Sequence, residues 1–112
     1  MKNENKFQAD TVKEIRERLP GSIVTKMDAN YIQGIPDILV LYKDRWATLE
    51  FKRSEEDYKK SLSRNPNQPY YVEKMNGMSY SAFIFPENKE EILDEMERSF
   101  KSKRNPRTIQ SK

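Results

Sequence analysis

Two carboxylates and an ammonium stand in the most apolar stretch of an otherwise polar chain. Asp37 closes the segment Gly34-Ile35-Pro36-Asp37, and thirteen residues later comes Glu50-Phe51-Lys52. Charges in such strands need partners, because leaving water costs each ion on the order of several kcal/mol. The simplest partner for all three groups is a divalent metal together with a phosphate. Hard oxygen ligands in an incomplete shell suit Mg²⁺, with Mn²⁺ as its substitute, and leave positions for water and phosphate oxygens. The chemistry this predicts is hydrolysis of a phosphodiester. The metal lowers the pKa of a water and polarises the phosphodiester, and Lys52 positions the water or offsets charge in the transition state.

Composition narrows the alternatives. The chain has no Cys and no His. That excludes disulfides, Cys/His zinc sites and every catalytic scheme that needs an imidazole or a thiol. At 112 residues, with 35% hydrophobic and 35% charged residues, it should form one small domain over about 1–100 with a modest core. The net charge of +3 and the pI of about 9.1 tilt the expectation toward a polyanionic partner. From Lys101 to Lys112 there are five basic residues and no acidic ones, a tail that could touch phosphates or simply be solvated. No segment approaches the roughly 20 apolar residues of a membrane span, so a soluble, intracellular protein is expected.

The elements that must position these groups can be read from periodicity. Ala9, Val12, Ile15 and Leu19 predict a helix over about 7–19, stopped by Pro20-Gly21. A short strand follows over 22–27, then a loop over 28–34. Residues 37–42 read as a strand buried on both faces, and Lys43-Asp44-Arg45 as a tight turn into a second strand over 46–52. Alternation puts Ala47, Leu49 and Phe51 on one face, with Thr48, Glu50 and Lys52 on the other. A turn centred on Asp44 would set Asp37 opposite Phe51, within one position of Glu50 and Lys52. Residues 53–67 read as a long polar stretch that could carry a helical turn around 55–62 and ends as loop over 63–67. A helix capped by Asn67 or Gln68 and ending at Gly77, a strand over 80–85 and a helix over 89–100 complete the order α-β-β-β-α-β-α. The predicted class is α/β, a small mixed β-sheet with flanking helices.

The Pro36-Asp37 and Glu50-Phe51-Lys52 motifs, on a hairpin preceded by a helix, resemble the PD-(D/E)xK nuclease superfamily and its restriction-endonuclease-like core. Gly34-Ile35-Pro36-Asp37, with Gln68 ahead of a helix, looks most like the VRR-Nuc branch and phage-encoded Holliday-junction-resolvase-like proteins. The resemblance implies a Mg²⁺-dependent endodeoxyribonuclease acting on structured or branched DNA in phage or mobile-element recombination, within a bacterial cytoplasm. It implies metal ligation by Asp37, Glu50 and the backbone carbonyl of Phe51, with Lys52 catalytic and Gln68 near the phosphate. A first-helix Glu also belongs to many such sites. Glu14 is best placed by helical face, Asp10 is the alternative, and Gln8 competes for the aligned position. Restriction-like or repair cleavage of duplex or flap DNA, and a non-catalytic DNA-binding module, are the alternative functions. Many nucleases this small act as homodimers. Asn30, Tyr31 and Gln33 in the loop before Gly34 could contact DNA, and Lys59, Lys60 and Arg64 could track phosphates. For those cations a solvated charge run is the competing reading.

Overall fold

The computed structural model describes residues 3–102. Most of the basic tail, residues 103–112, lies outside the described residues. The chain runs as α1 (Asn3–Arg18), β1 (Ile23–Lys26), β2 (Ile38–Tyr42), β3 (Arg45–Phe51), α2 (Glu55–Arg64), α3 (Asn67–Met78), β4 (Tyr80–Ile84), a 3-10 turn (Pro86–Asn88) and α4 (Lys89–Lys101). The sheet has the order β1-β2-β3-β4. β1, β2 and β3 form an antiparallel meander, and β4 lies parallel to β3 after the α2–α3 crossover. The mixed sheet with flanking helices is therefore as the sequence predicts.

The sheet faces follow from alternation. Ile38, Val40, Ala47, Leu49, Phe51 and Ile84 point to one side, where they meet Ile15 and Leu19 of α1 and Leu93 and Met96 of α4. This is the hydrophobic core. On the other side α3 packs on β4 and β3. There Thr48 Oγ1 donates to Ser81 Oγ at 2.7 Å, beneath Met75. α2 covers the same side through Tyr58, whose ring lies against Phe83 and Phe85.

Three expectations change. β2 is buried on one face only: Leu41 is 38% exposed, because α2 and α3 cover the β3–β4 half of the sheet and leave β1 and β2 open. The hairpin turn is tighter by one residue. Tyr42 pairs with Arg45, so only Lys43 and Asp44 turn, and Lys43 takes a left-handed φ of 57°. The polar stretch over 53–67 carries a full helix, α2, in place of a single turn. Ser54 caps it by accepting from the N–H of Asp57 at 3.0 Å, and Glu55–Lys59 and Glu56–Lys60 pairs line its outer face.

α3 also runs one residue past Gly77, to Met78. A Cβ at Gly77 would meet nothing within 4 Å. Gly77→Ala should therefore stabilise the fold by about 0.5–1 kcal/mol, since Gly loses more backbone freedom in a helix than Ala. A circular-dichroism melt should show the midpoint rising by several degrees.

A charged clip joins α1 to α4. The Arg18 guanidinium lies 3.1 Å from Glu14, 2.9 Å from Glu90, 2.8 Å from Asp94 and 3.2 Å from Glu97. Removing it leaves four neighbouring carboxylates with Lys89 on Glu14 and Lys101 on Glu97 to offset them. Arg18→Ala should cost about 1–2 kcal/mol, discounted for the exposure of Glu90 and Asp94. The Lys89 hydrogen bond, then Arg18, holds the Glu14 carboxyl below its ordinary value of 4.5. Glu14 thus adds stability above that value, and the contribution is lost as pH falls through its lowered pKa. Arg18→Ala should accordingly narrow the gap between neutral and acid melting temperatures.

Candidate active site

Beyond the last ladder pair, Ile38 with Leu49, the chain at Asp37 makes two further bonds to β3. Its N–H donates to the Leu49 carbonyl at 3.0 Å, and its Oδ2 accepts from the Phe51 N–H at 2.8 Å. Asp37 thus bonds the residues on either side of Glu50. The expected direct opposition to Phe51 is replaced by this side-chain bond, which still brings Asp37 to the Glu50-Phe51-Lys52 motif. Pro36, fully buried, leads into this position ahead of β2, where its missing N–H breaks no ladder bond.

Glu50 and Lys52 lie on the α3 side of β3, as alternation predicts, and both are buried, at 4% and 8% exposure. Lys52 Nζ is 4.0 Å from Glu50 Oε2 and donates to Gln68 Oε1, in the first turn of α3, at 2.8 Å. The cross-strand neighbour of Glu50 is Phe83, whose ring Tyr58 covers. An apolar ring pair therefore flanks the charged groups on the β4 side, which strengthens the electrostatic interactions there. Burial raises the Asp37 carboxyl above its ordinary range, against the opposing pull of the Phe51 N–H, Lys52 and Lys26.

Lys26, which the sequence reading did not name, lies close enough for its charge to act on Asp37. Its strand neighbour is Ile38, and the Met27 N–H donates to the Asp37 carbonyl at 2.9 Å. The signal was available, since pairing β1 antiparallel to β2 places the end of β1 beside Asp37.

Gly34 fixes the approach to the site. Its φ is 92°, and a Cβ there would lie 2.4 Å from Asn67 Cβ. The Gly-Ile-Pro-Asp segment is thereby seated directly on the start of α3, next to Gln68.

The first-helix candidates are placed elsewhere. Phe7 packs edge-on against Phe51 at 5.8 Å, so the N-terminal half of α1 lies at the site end of the sheet. Glu14 is seven residues further along, about 10 Å down the axis at the α-helical rise. There it pairs with Lys89 at 3.0 Å and with Arg18. Asp10 pairs with Lys6 on the surface at 3.1 Å. Gln8, next to Phe7, is half-buried. Among the described residues no three Asp or Glu side chains gather as a metal cluster.

The predicted DNA contacts divide. Tyr31 is 85% exposed, at the tip of a loop whose Asn30 N–H donates to Asp28 Oδ1 at 2.9 Å. Gln33 and Arg64 both line a cavity beside Gln68. Lys59 and Lys60 are helix residues, not loop residues, and each lies 3.4 Å from a Glu one turn earlier.

The donor set fits a small hard cation. Asp37, Glu50 and the Phe51 carbonyl offer two carboxylates and one neutral oxygen. Mg²⁺ is ordinarily bound by one or two carboxylates plus substrate phosphates, with water in the remaining positions.

A solved structure described as a VRR_NUC domain matches this chain with a TM-score of 0.61 and 21% identity, covering 82% of this chain and 95% of that one. The likeness shows the fold: the chain has the restriction-endonuclease-like architecture of a VRR_NUC domain. No protein-family profile and no curated protein matches the sequence. No described helix is long and apolar enough to cross a membrane.

Proposed function

We propose that this chain is a metal-dependent nuclease that hydrolyses DNA phosphodiester bonds. One observation carries the reading. On a VRR_NUC-type fold, Asp37 bonds the backbone on both sides of Glu50, with Lys52 4.0 Å from that Glu. Asp37, Glu50 and the Phe51 carbonyl would hold Mg²⁺, or Mn²⁺ in its place. When bound, the cation supplies Lewis-acid polarisation of the phosphodiester and a lowered pKa for the attacking water.

The protein's own groups supply the rest. Lys52, oriented by Gln68, holds a positive charge where negative charge develops on the reacting phosphate. The Phe51 N–H fixes the rotamer of Asp37, so its free oxygen is directed before substrate arrives. Tyr58 and Phe83 wall the site with apolar surface. Glu14 is engaged by Lys89 and Arg18, which leaves a two-carboxylate centre suited to one cation.

The substrate we propose is structured DNA of the four-way-junction kind. Purified protein should be given labelled duplex, nicked, flap and four-way-junction DNA in Mg²⁺. Preferential cutting of the junction supports this substrate. Preferential cutting of duplex or flap would reassign the protein to restriction-like or repair cleavage.

A further inference from the structure

We infer that the cavity at the α2–α3 junction binds the backbone phosphate next to the scissile one, and that Gln68 relays its occupancy to Lys52. This rests on the nuclease reading and extends it to the substrate's backbone. The cavity measures about 110 Å³, several times the roughly 30 Å³ of one liquid water, and so admits a phosphate group. Every polar side chain lining it is an amide or a guanidinium: Gln33, Arg64, Asn65, Asn67 and Gln68. All of these can donate to phosphate oxygens, and Arg adds a full charge in a planar fork. Gly34 closes one wall without a side chain. The first turn of α3 carries no acidic residue, so its partial positive charge is not offset there.

Arg64 is the α2 cation suited to this role. Its guanidinium is 4.0 Å from Asp57, at the limit of ion-pair range, and Asp57 also faces Arg53 at 3.6 Å. Lys59 and Lys60 are held closer to their Glu partners. Arg64 Nε donates to the Lys60 carbonyl at 3.4 Å and Nη2 is the nitrogen that faces Asp57, which leaves Nη1 to reach a ligand.

Gln68 belongs to both sites. The Lys52 ammonium only donates, so the atom 2.8 Å from it must be the amide oxygen. The amide nitrogen of the same group then has two hydrogens to offer the cavity that Gln68 lines. A phosphate accepting one of them fixes the carboxamide with its oxygen toward Lys52. Gln68 is thus a positioning residue, which orders the catalytic lysine when the neighbouring phosphate is seated.

The test replaces single phosphates by neutral methylphosphonates at successive positions around the cut. DNA affinity is measured in EDTA, and kcat at saturating DNA in Mg²⁺. In wild type, one flanking position should weaken affinity roughly fivefold and lower kcat. Arg64→Gln should lose the affinity penalty at that position alone, and its salt slope should fall by about 1. In Gln68→Ala the methylphosphonate should lower kcat no further, because the relay is already cut. The inference is overturned if wild type shows no position-specific penalty, or if Arg64→Gln keeps the wild-type profile. Position-specific binding without cleavage in Mg²⁺ or Mn²⁺ would instead keep the phosphate site and remove the nuclease reading.

Discussion

Asp37→Asn is expected to lower cleavage by at least roughly a thousandfold while leaving the fold as stable as wild type, or more stable. The loss follows from removing a carboxylate ligand at the reacting centre. The stability gain follows from the environment of Asp37. Burial is the leading influence on its carboxyl and raises it above the ordinary 3.8, with the Phe51 N–H, Lys52 and Lys26 pulling the other way. The folded state therefore keeps the proton to higher pH than the unfolded state. Ionising Asp37 costs folding stability, in full above the folded pKa. That cost fades as pH falls through the folded pKa toward 3.8. Asn carries no charge, and its Oδ1 can still accept from the Phe51 N–H. Melting temperatures at pH 7 should thus favour Asp37→Asn, and the difference should shrink in acid. Mn²⁺ should raise the melting temperature of wild type but not of the variant. A variant that melts well below wild type at pH 7 would show Asp37 to be a structural anchor instead.

Gly34→Ala should be the most damaging single methyl group in the chain, at about 2–4 kcal/mol. Two costs add. The first is the backbone at φ 92°, a conformation side chains rarely adopt. The second is contact, because the new Cβ would lie 2.4 Å from Asn67 Cβ and 2.8 Å from the Asn67 backbone carbon. Gly21 separates the two, since it has φ 90° and nothing within 4 Å of a Cβ. Gly21→Ala should cost only the backbone share, about 1–2 kcal/mol. Urea titrations of both variants measure the difference. Gly34→Ala should also lose activity beyond its loss of stability, because relieving the contact moves the start of α3 and carries Gln68 away from Lys52. Equal destabilisation by the two substitutions would mean that the seat of Gly34 on α3 gives way at no cost.

The shared face of Glu50 and Lys52 was legible because strand alternation is rigid. Once Leu49 and Phe51 face the core, Glu50 and Lys52 must share the opposite face, and the structure places them so. The register was misjudged by one residue because the turn has two residues and depends on a left-handed Lys43, which no Gly or Asn announces. The full extent of α2 was not legible, beyond a possible turn over 55–62, because its apolar content is slight: Tyr58 and Leu62 alone give no long helical stripe. Its caps and charge pairs were nonetheless in the sequence, with Ser54 three residues before Asp57 and Glu-to-Lys spacings of four. Glu14 is best placed by helical face, but phase says nothing about distance along the axis. The Phe7–Phe51 contact settles that distance, and Glu14 falls beside Lys89. The junction cavity depends on a pairing between segments that sequence periodicity does not encode.

The most direct measurement is single-turnover cleavage of labelled DNA by wild type, Glu50→Gln and Lys52→Met, in Mg²⁺, in Mn²⁺ and in EDTA, with DNA binding followed in parallel. The account predicts cutting by wild type in either metal and none in EDTA. Both variants should bind DNA and leave it intact. Undiminished cutting in EDTA, or by Glu50→Gln, would contradict it.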